Sequence, residues 1–224
     1  MSDDLVDILL TGLGETIHMV IISGLIALAI GLPLGIILVV TKKGHILGCN
    51  GVNKILSTII NAIRSLPSII LIVILLPLSR LIVGTTLGTN AAIVPISIGA
   101  APFLARIIEN CVEEVEWDKI EAAEAMGARP YEIILKVLIP EALPALVRGV
   151  TISIIAIIEF TAIAGAIGAG GLGSIAIRFG YQRFRNDILV ATVIILIVLV
   201  QLIQFTGDFI SKYINKKRYK VDER

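Results

Sequence analysis

The chain has 224 residues; 56% are hydrophobic, only 17% are charged, and its mean hydropathy is +0.95. A soluble domain of this length needs more polar sequence than that to cover its surface. The net charge of +1 supplies no basic field for nucleic acid.

The first residues read Met-Ser-Asp-Asp-Leu-Val-Asp. They lack the positive start of a secretory signal, and the apolar run that follows is too long for a signal h-region. That run is expected to remain as a membrane-spanning helix. A spanning helix needs roughly 20 mostly apolar residues, and five segments qualify. The first, about 16–41, carries no full charge between Glu15 and Lys42. The second, about 55–79, contains Arg64, and the third, about 83–105, lies between Arg80 and Arg106. A fourth, about 145–177, contains Glu159, and the fifth, about 187–210, lies between Asp187 and Asp208. Gly31, Pro33, Pro67, Pro77 and Pro95 fall within these runs, where membrane helices tolerate them. The expected fold is all-α, with five transmembrane helices.

Five spans place the termini on opposite sides, and cations concentrate in cytoplasmic loops. With the C-terminus inside, the cytoplasmic segments hold fourteen Lys and Arg, six of them in a basic tail over 211–224. The outside then holds four: Arg80, Arg178, Arg183 and Arg185. The acidic N-terminus is expected outside and the C-terminus in the cytoplasm. Cys49 and Cys111 have no metal or redox spacing, lie at or near the reducing side, and are expected to stay unpaired.

Only one connection is long and rich in charge, 109–141, on the cytoplasmic side. Residues 112–126 are strong helix formers without Gly or Pro. Gly127 suits a helix end, Pro130 the first turn of a following helix, and Pro140 an end or kink. The expectation is a helix–turn–helix exposed at the cytoplasmic face. Trp117, the chain's one tryptophan, suits either an interface anchor or the membrane–water boundary.

Glu121-Ala122-Ala123, Gly127 and Val137-Leu138-Ile139-Pro140 resemble the EAA loop of ABC importer permeases. The spacing from Glu121 to Gly127 to Pro140 matches; Val137 and Ile139 are conservative departures. The resemblance implies that this loop docks into a groove on a separate ATPase. On that reading Ala122 and Ala123 allow close approach, Gly127 the turn, and Glu121 a charged acceptor. The chain has no GxxxxGK[ST] phosphate loop, so ATP and its magnesium are expected on the partner ATPase. No catalytic residue, metal site or cofactor is expected on this chain.

Gly168-Ala169-Gly170-Gly171-Leu172-Gly173 matches a dinucleotide fingerprint. Its place at the outer end of an apolar span, with no strand before it, argues instead for close helix packing or a break in the helix. His18 and His45 lack partner ligands at helical spacing. Glu159 is the one carboxylate well inside an expected span, where a charge is expensive. It is either a hydrogen-bonded packing residue or a pathway group near a gate, with Phe160 and Ile163 as apolar bulk and Arg64 or Arg148 as candidate partners.

Across about 9–208 the chain resembles methionine importer permeases in particular, through Asn61-Ala62-Ile63-Arg64-Ser65-Leu66-Pro67, Arg178-Phe179-Gly180-Tyr181-Gln182-Arg183-Phe184 and the stretch from Val200 to Asp208. That implies the type I importer fold in a bacterial cytoplasmic membrane. It also implies a second copy of the chain, two ATPase subunits and an extracytoplasmic methionine-binding protein. Importers of another amino acid or small metabolite share this layout. A secondary carrier or channel is the alternative of a different class, and neither needs an ATPase dock.

Overall fold

The computed structural model describes residues 2–222, with side chains described within 5–216. The described chain is helical: α1 (Ser2–Val40), α2 (Asn50–Arg64), α3 (Ser68–Val83), α4 (Thr89–Glu113), α5 (Trp117–Ala125), α6 (Pro130–Ile133), α7 (Ile139–Ala166), α8 (Gly171–Ile175) and α9 (Asn186–Asp222). A π turn over Ile134–Leu138 joins α6 to α7, and a second, Ala176–Tyr181, follows α8. Among the described residues four stretches are long and apolar enough to span a membrane: Leu5–Val40, Thr89–Glu113, Pro130–Ala166 and Asn186–Lys216. The pair α2 and α3 makes a fifth if the two are taken as one bent span.

That bend is the main departure from the sequence reading, which drew one span over 55–79. The chain turns by 102° between α2 and α3. Pro67 bars its predecessor from helical backbone and has extended angles itself, φ −55° and ψ 134°. α2 is amphipathic, with Ile60 buried and Leu56 half-buried against Leu38 and Ala105. Its polar side holds it in place: the Asn53 side-chain amide donates to the Leu38 carbonyl at 2.6 Å and to Thr41 Oγ1 at 3.1 Å.

The other helices differ from expectation at their ends. α1 starts at Ser2 rather than near 16, because Asp7 and Glu15 end an apolar run without ending a helix. α4 continues past Arg106 to Glu113 for the same reason. The fourth segment, expected over 145–177, breaks after Ala166 at the glycine-rich stretch. α9 runs on from the fifth span through most of the basic tail; residues 223 and 224 of that tail lie outside the described residues.

Lipid tails are as apolar as leucine, so helices in a bilayer associate by close packing rather than by escape from water. α4 is the helix around which this happens, with Ile96, Ala100, Leu104 and Ile108 all buried. α1 lies against it through Gly31 and Gly35. A β-carbon at Gly35 would stand 2.6 Å from the Ala105 carbonyl oxygen and 2.7 Å from Ile108 Cβ. α7 packs on α4 as well as on α1, and α9 on α7. Several hydroxyls inside this apolar bundle bond to their own helices. Ser97 donates to the Ile93 carbonyl at 2.7 Å, Ser153 to Gly149 at 2.9 Å and Thr192 to Ile188 at 2.8 Å, so none adds an unsatisfied group.

Gly35→Val should force α1 away from α4. Overpacking of this kind costs about 1–3 kcal/mol, and the thermal unfolding midpoint of the detergent-solubilised protein should fall. Gly14→Val is the comparison, since a β-carbon there meets nothing within 4 Å. Equal midpoints for the two variants would refute the close-contact account.

Candidate coupling hairpin and pathway helix

The long charged connection forms the expected hairpin. α4 ends at Glu113, α5 starts at Trp117 and ends at Ala125, and the chain reverses through Met126 and Gly127. Gly127 has φ +79°, a backbone that a β-carbon strains. Its N–H donates to the Glu124 carbonyl at 2.8 Å, and the Ala128 N–H reaches back to Ala123 at 3.1 Å, closing the helix end as a Schellman motif. Pro130 opens α6, and the Glu132 carboxylate accepts the Arg129 N–H at 3.0 Å. Pro140 lies near the start of α7, and the helical stretch does not end there but runs on to Ala166. A proline leaves the carbonyl four residues back, Lys136, without its donor, and the π turn over Ile134–Leu138 shifts the hydrogen-bond register around that gap.

The expected docking residues divide between two faces. Glu121 and Ala122 are exposed, whereas Ala123 is buried, 4% exposed. Ala123 lies inward with Ile120, Ile133 and Leu138 in the main core. It therefore helps fix the hairpin to the bundle rather than allowing another surface to approach. The outer face carries apolar side chains that composition did not single out: Met126 is 82% exposed, Leu135 61% and Tyr131 55%. The i,i+4 spacing of Tyr131 and Leu135, out of phase with buried Ile133 and Leu138, was the signal available for them.

A charged seam backs the hairpin. Glu109, 2% exposed, pairs with Lys42 at 3.0 Å and Arg106 at 2.5 Å. Lys42 also pairs with Glu113. Burial works against the Lys42 ammonium, but its hydrogen bonds to Glu113 and Glu109 prevail and raise its pKa above the ordinary lysine value. Arg106 continues to the Asn61 side chain at 3.0 Å and the Ser57 carbonyl at 3.3 Å, which ties α2 to α4. Lys119 of α5 reaches Glu141 of α7 at 2.8 Å. Trp117, 42% exposed, stands edge-on to His45 with ring centroids 5.3 Å apart. Burial pushes the His45 imidazole below the usual histidine range. The seam and His45 thus connect the connection between α1 and α2 to the first residue of α5.

Glu159 lies well inside α7, is exposed, and among the described residues has no hydrogen-bond or ion-pair partner. The structure joins it to neither candidate cation. Arg148 is 11 positions earlier on the same helix, about 16 Å along the axis. Arg64 sits at the end of α2. Ile163 shares the face of Glu159 one turn on, while the Phe160 ring packs over Gly99 of α4. Beyond this face the glycine-rich stretch folds against α1. The Gly171 N–H donates to the Glu15 carboxylate at 2.5 Å, and the Leu172 N–H to Thr16 Oγ1 at 2.9 Å. The Gly88 N–H donates to the Gly168 carbonyl at 3.0 Å. These glycines break the helix and seat its end on α1.

Known proteins share this arrangement. A probable D-methionine transport system permease protein of Vibrio cholerae is 46% identical over 211 residues, 94% of each chain. The methionine import system permease protein of Bacillus subtilis is 45% identical over 81% of this chain and 82% of its own. A solved chain of an inward-facing methionine ABC transporter superposes with a TM-score of 0.94 at 44% identity, covering 96% of this chain and 99% of that one. An amino acid ABC transporter solved with histidines matches at TM-score 0.73 and 18% identity, a likeness of fold alone. The profile of binding-protein-dependent transport system inner membrane components matches residues 31–220, and this chain belongs to that family.

Proposed function

We propose that this chain is the permease of an ATP-driven methionine importer, working as two copies above two ATPase subunits and served by an extracytoplasmic binding protein. The observation that carries this reading is the end-to-end likeness, at 44% identity, to the chain of a solved methionine ABC transporter. The chain itself makes and breaks no bonds; ATP and magnesium belong to the ATPase subunits. Glu121, Ala122 and the apolar face of Met126, Tyr131 and Leu135 enter the ATPase groove. Trp117, Ala123, Gly127 and Pro140 hold the hairpin in shape and on the bundle. When ATP draws the ATPases together, the hairpins follow, and α7 carries that movement into the membrane. The spans then rock between inward-open and outward-open states. The hairpin faces the cytoplasm, the N-terminus lies outside, and the C-terminus inside, in keeping with the cation asymmetry.

Glu159 belongs to the pathway face in this reading. An ionised carboxylate in mid-membrane costs at least ~2.5 kcal/mol, so an exposed, unpartnered one is expected to face water or the second copy rather than lipid. Ile163, on the same face, supplies apolar bulk beside it, and the neighbouring Phe160 packs over Gly99 of α4.

Three measurements test this. Vesicles holding the permease, its ATPase and its binding protein should take up methionine only with ATP, and excess unlabelled methionine should compete most strongly among amino acids. A different best competitor would reassign the cargo. Gly127→Leu, which strains the turn by about 1–2 kcal/mol, and Glu121→Lys, which reverses a docking charge, should each lower methionine-stimulated ATP hydrolysis several-fold while the protein still inserts. Full stimulation in both would end the coupling assignment. Glu159→Gln should impair uptake with assembly intact; wild-type uptake would remove Glu159 from the pathway.

A further inference from the structure

The connection between α1 and α2, residues 41–49, is a bonded turn rather than a loose loop. The Leu47 N–H donates to the Val40 carbonyl at 2.9 Å, and the Cys49 N–H to Thr41 at 3.0 Å. The His45 N–H donates to the Lys42 carbonyl, and the Gly48 N–H to His45, each at 3.0 Å. Ile46 packs on the main core. The Asn53 side chain, bonded to the Leu38 carbonyl and to Thr41 Oγ1, fixes the start of α2 to the end of α1. Lys42 and His45, three positions apart in this turn, therefore keep a fixed spacing.

Those two residues hold opposite sides of one corner. α4 ends at Glu113 and α5 begins at Trp117, and Glu116 before it has extended backbone, φ −59° and ψ 131°. Lys42 holds the α4 side, through Glu109 at 3.0 Å and through Glu113. His45 holds the α5 side, edge-on to Trp117 with ring centroids 5.3 Å apart. The His45 Nδ1 is buried and has no hydrogen-bond partner among the described residues, so its tie to Trp117 is one of packing. Elsewhere α5 packs chiefly on α6 and the π turn, parts of the same hairpin unit. Its ion pair from Lys119 to Glu141 of α7 is open to water and so weak. Ile120 and Ala123 seat the middle of α5 on the core; the His45 ring seats its first residue.

We propose that the connection between α1 and α2 is a brace across the corner between α4 and the coupling hairpin, and that His45 is a positioning residue for coupling. With the ring in place α4 and α5 keep their angle, and a push on the hairpin moves the bundle as one piece. Without it α5 yields at residues 114–116, and part of each push is lost in folding the corner. The brace also reaches α2. Asn53 anchors α2 to the same turn, and Arg106, which shares Glu109 with Lys42, bonds Asn61. The hairpin thus acts on the membrane helices through α1 and α2 as well as through α7. The proposal rests on the importer reading and names a residue outside the hairpin on which its coupling depends.

The test uses permease, ATPase and binding protein in sealed vesicles, with methionine uptake and ATP hydrolysis measured on the same sample. His45→Ala should lower the methionine taken up per ATP about fivefold, the weight of one aromatic contact on a coupling equilibrium, with hydrolysis within about twofold of wild type. His45→Phe, which keeps a ring, should hold the ratio near wild type. His45→Gln, which keeps polarity without a ring, should match alanine. Trp117→Ala should lower the same ratio, and the double variant with His45→Ala should fall no further than the lower single, because either change opens the same contact. A role in stability alone predicts fewer assembled complexes, each with the wild-type ratio; the ratio is taken per ATP, so poor assembly does not mask it. A wild-type ratio in His45→Ala and His45→Gln, a His45→Phe variant as impaired as alanine, or fully additive losses in the double variant would overturn the brace. Wild-type vesicles in which hydrolysis drives no methionine uptake would overturn the importer reading itself, before any variant is compared.

Discussion

The fold depends on how closely α1 can approach α4. In a bilayer no water is released when two apolar helices meet, so the gain must come from atomic contact. Gly31 and Gly35 bring the backbone of α1 within reach of the Ala105 carbonyl and the Leu104 and Ile108 side chains. With both α1 and α7 packed on it, α4 becomes the buried axis. The direction in which α4 leaves the bundle then sets where the coupling hairpin stands. The charged seam lies at the same end of the same contact: Lys42 follows α1, Glu109 is on α4, and the pair holds the two helices in register where the glycines no longer do.

That seam also shows how a small hairpin is tied to the bundle of long helices. α5 and α6 together are only 13 residues, and a free hairpin of that size would move without moving anything else. Here Ile120, Ala123 and Ile133 are buried in the main core, Lys119 holds Glu141 on α7, and Trp117 rests against His45. The outer surface is left free for a partner while the inner surface is tied to three separate parts of the chain.

Much of this was legible in the residues. Gly127 and Pro130 gave the hairpin because a helix end and a helix start each have steric requirements that few residue types meet. The run of glycines from Gly168 marked a break because no span carries so many without one. Other features were hidden for physical reasons. The 102° bend between α2 and α3 changes direction without changing hydropathy, and only Pro67 hinted at it. The burial of Ala123 beside exposed Ala122 depends on how the hairpin is rotated against the bundle, which no local pattern encodes. Arg64, Arg148 and Glu159 could be paired on paper, but the helices hold them apart. The seam of Lys42, Arg106 and Glu109 joins residues up to 67 positions apart, beyond the reach of spacing arguments.

The π turn joining α6 to α7 leaves Pro130–Ala166 as one helical stretch of 37 residues. The hairpin sits at one end of it and Glu159 lies 29 positions from that end, about 44 Å away along the axis. Such a stretch is a mechanical lever. Pivoted near its middle, where Gly149 lies close to Ile107 and Cys111 of α4, it converts a tilt of about 5° into a displacement of about 2 Å at each end, in opposite directions. The π turn is the weak point of the lever, because its hydrogen bonds are already out of helical register around Pro140. Force applied at the hairpin end would therefore be divided between bending at residues 134–138 and rotation of everything beyond them, and the stiffness of that one turn would set how much of a push at one end reaches the other.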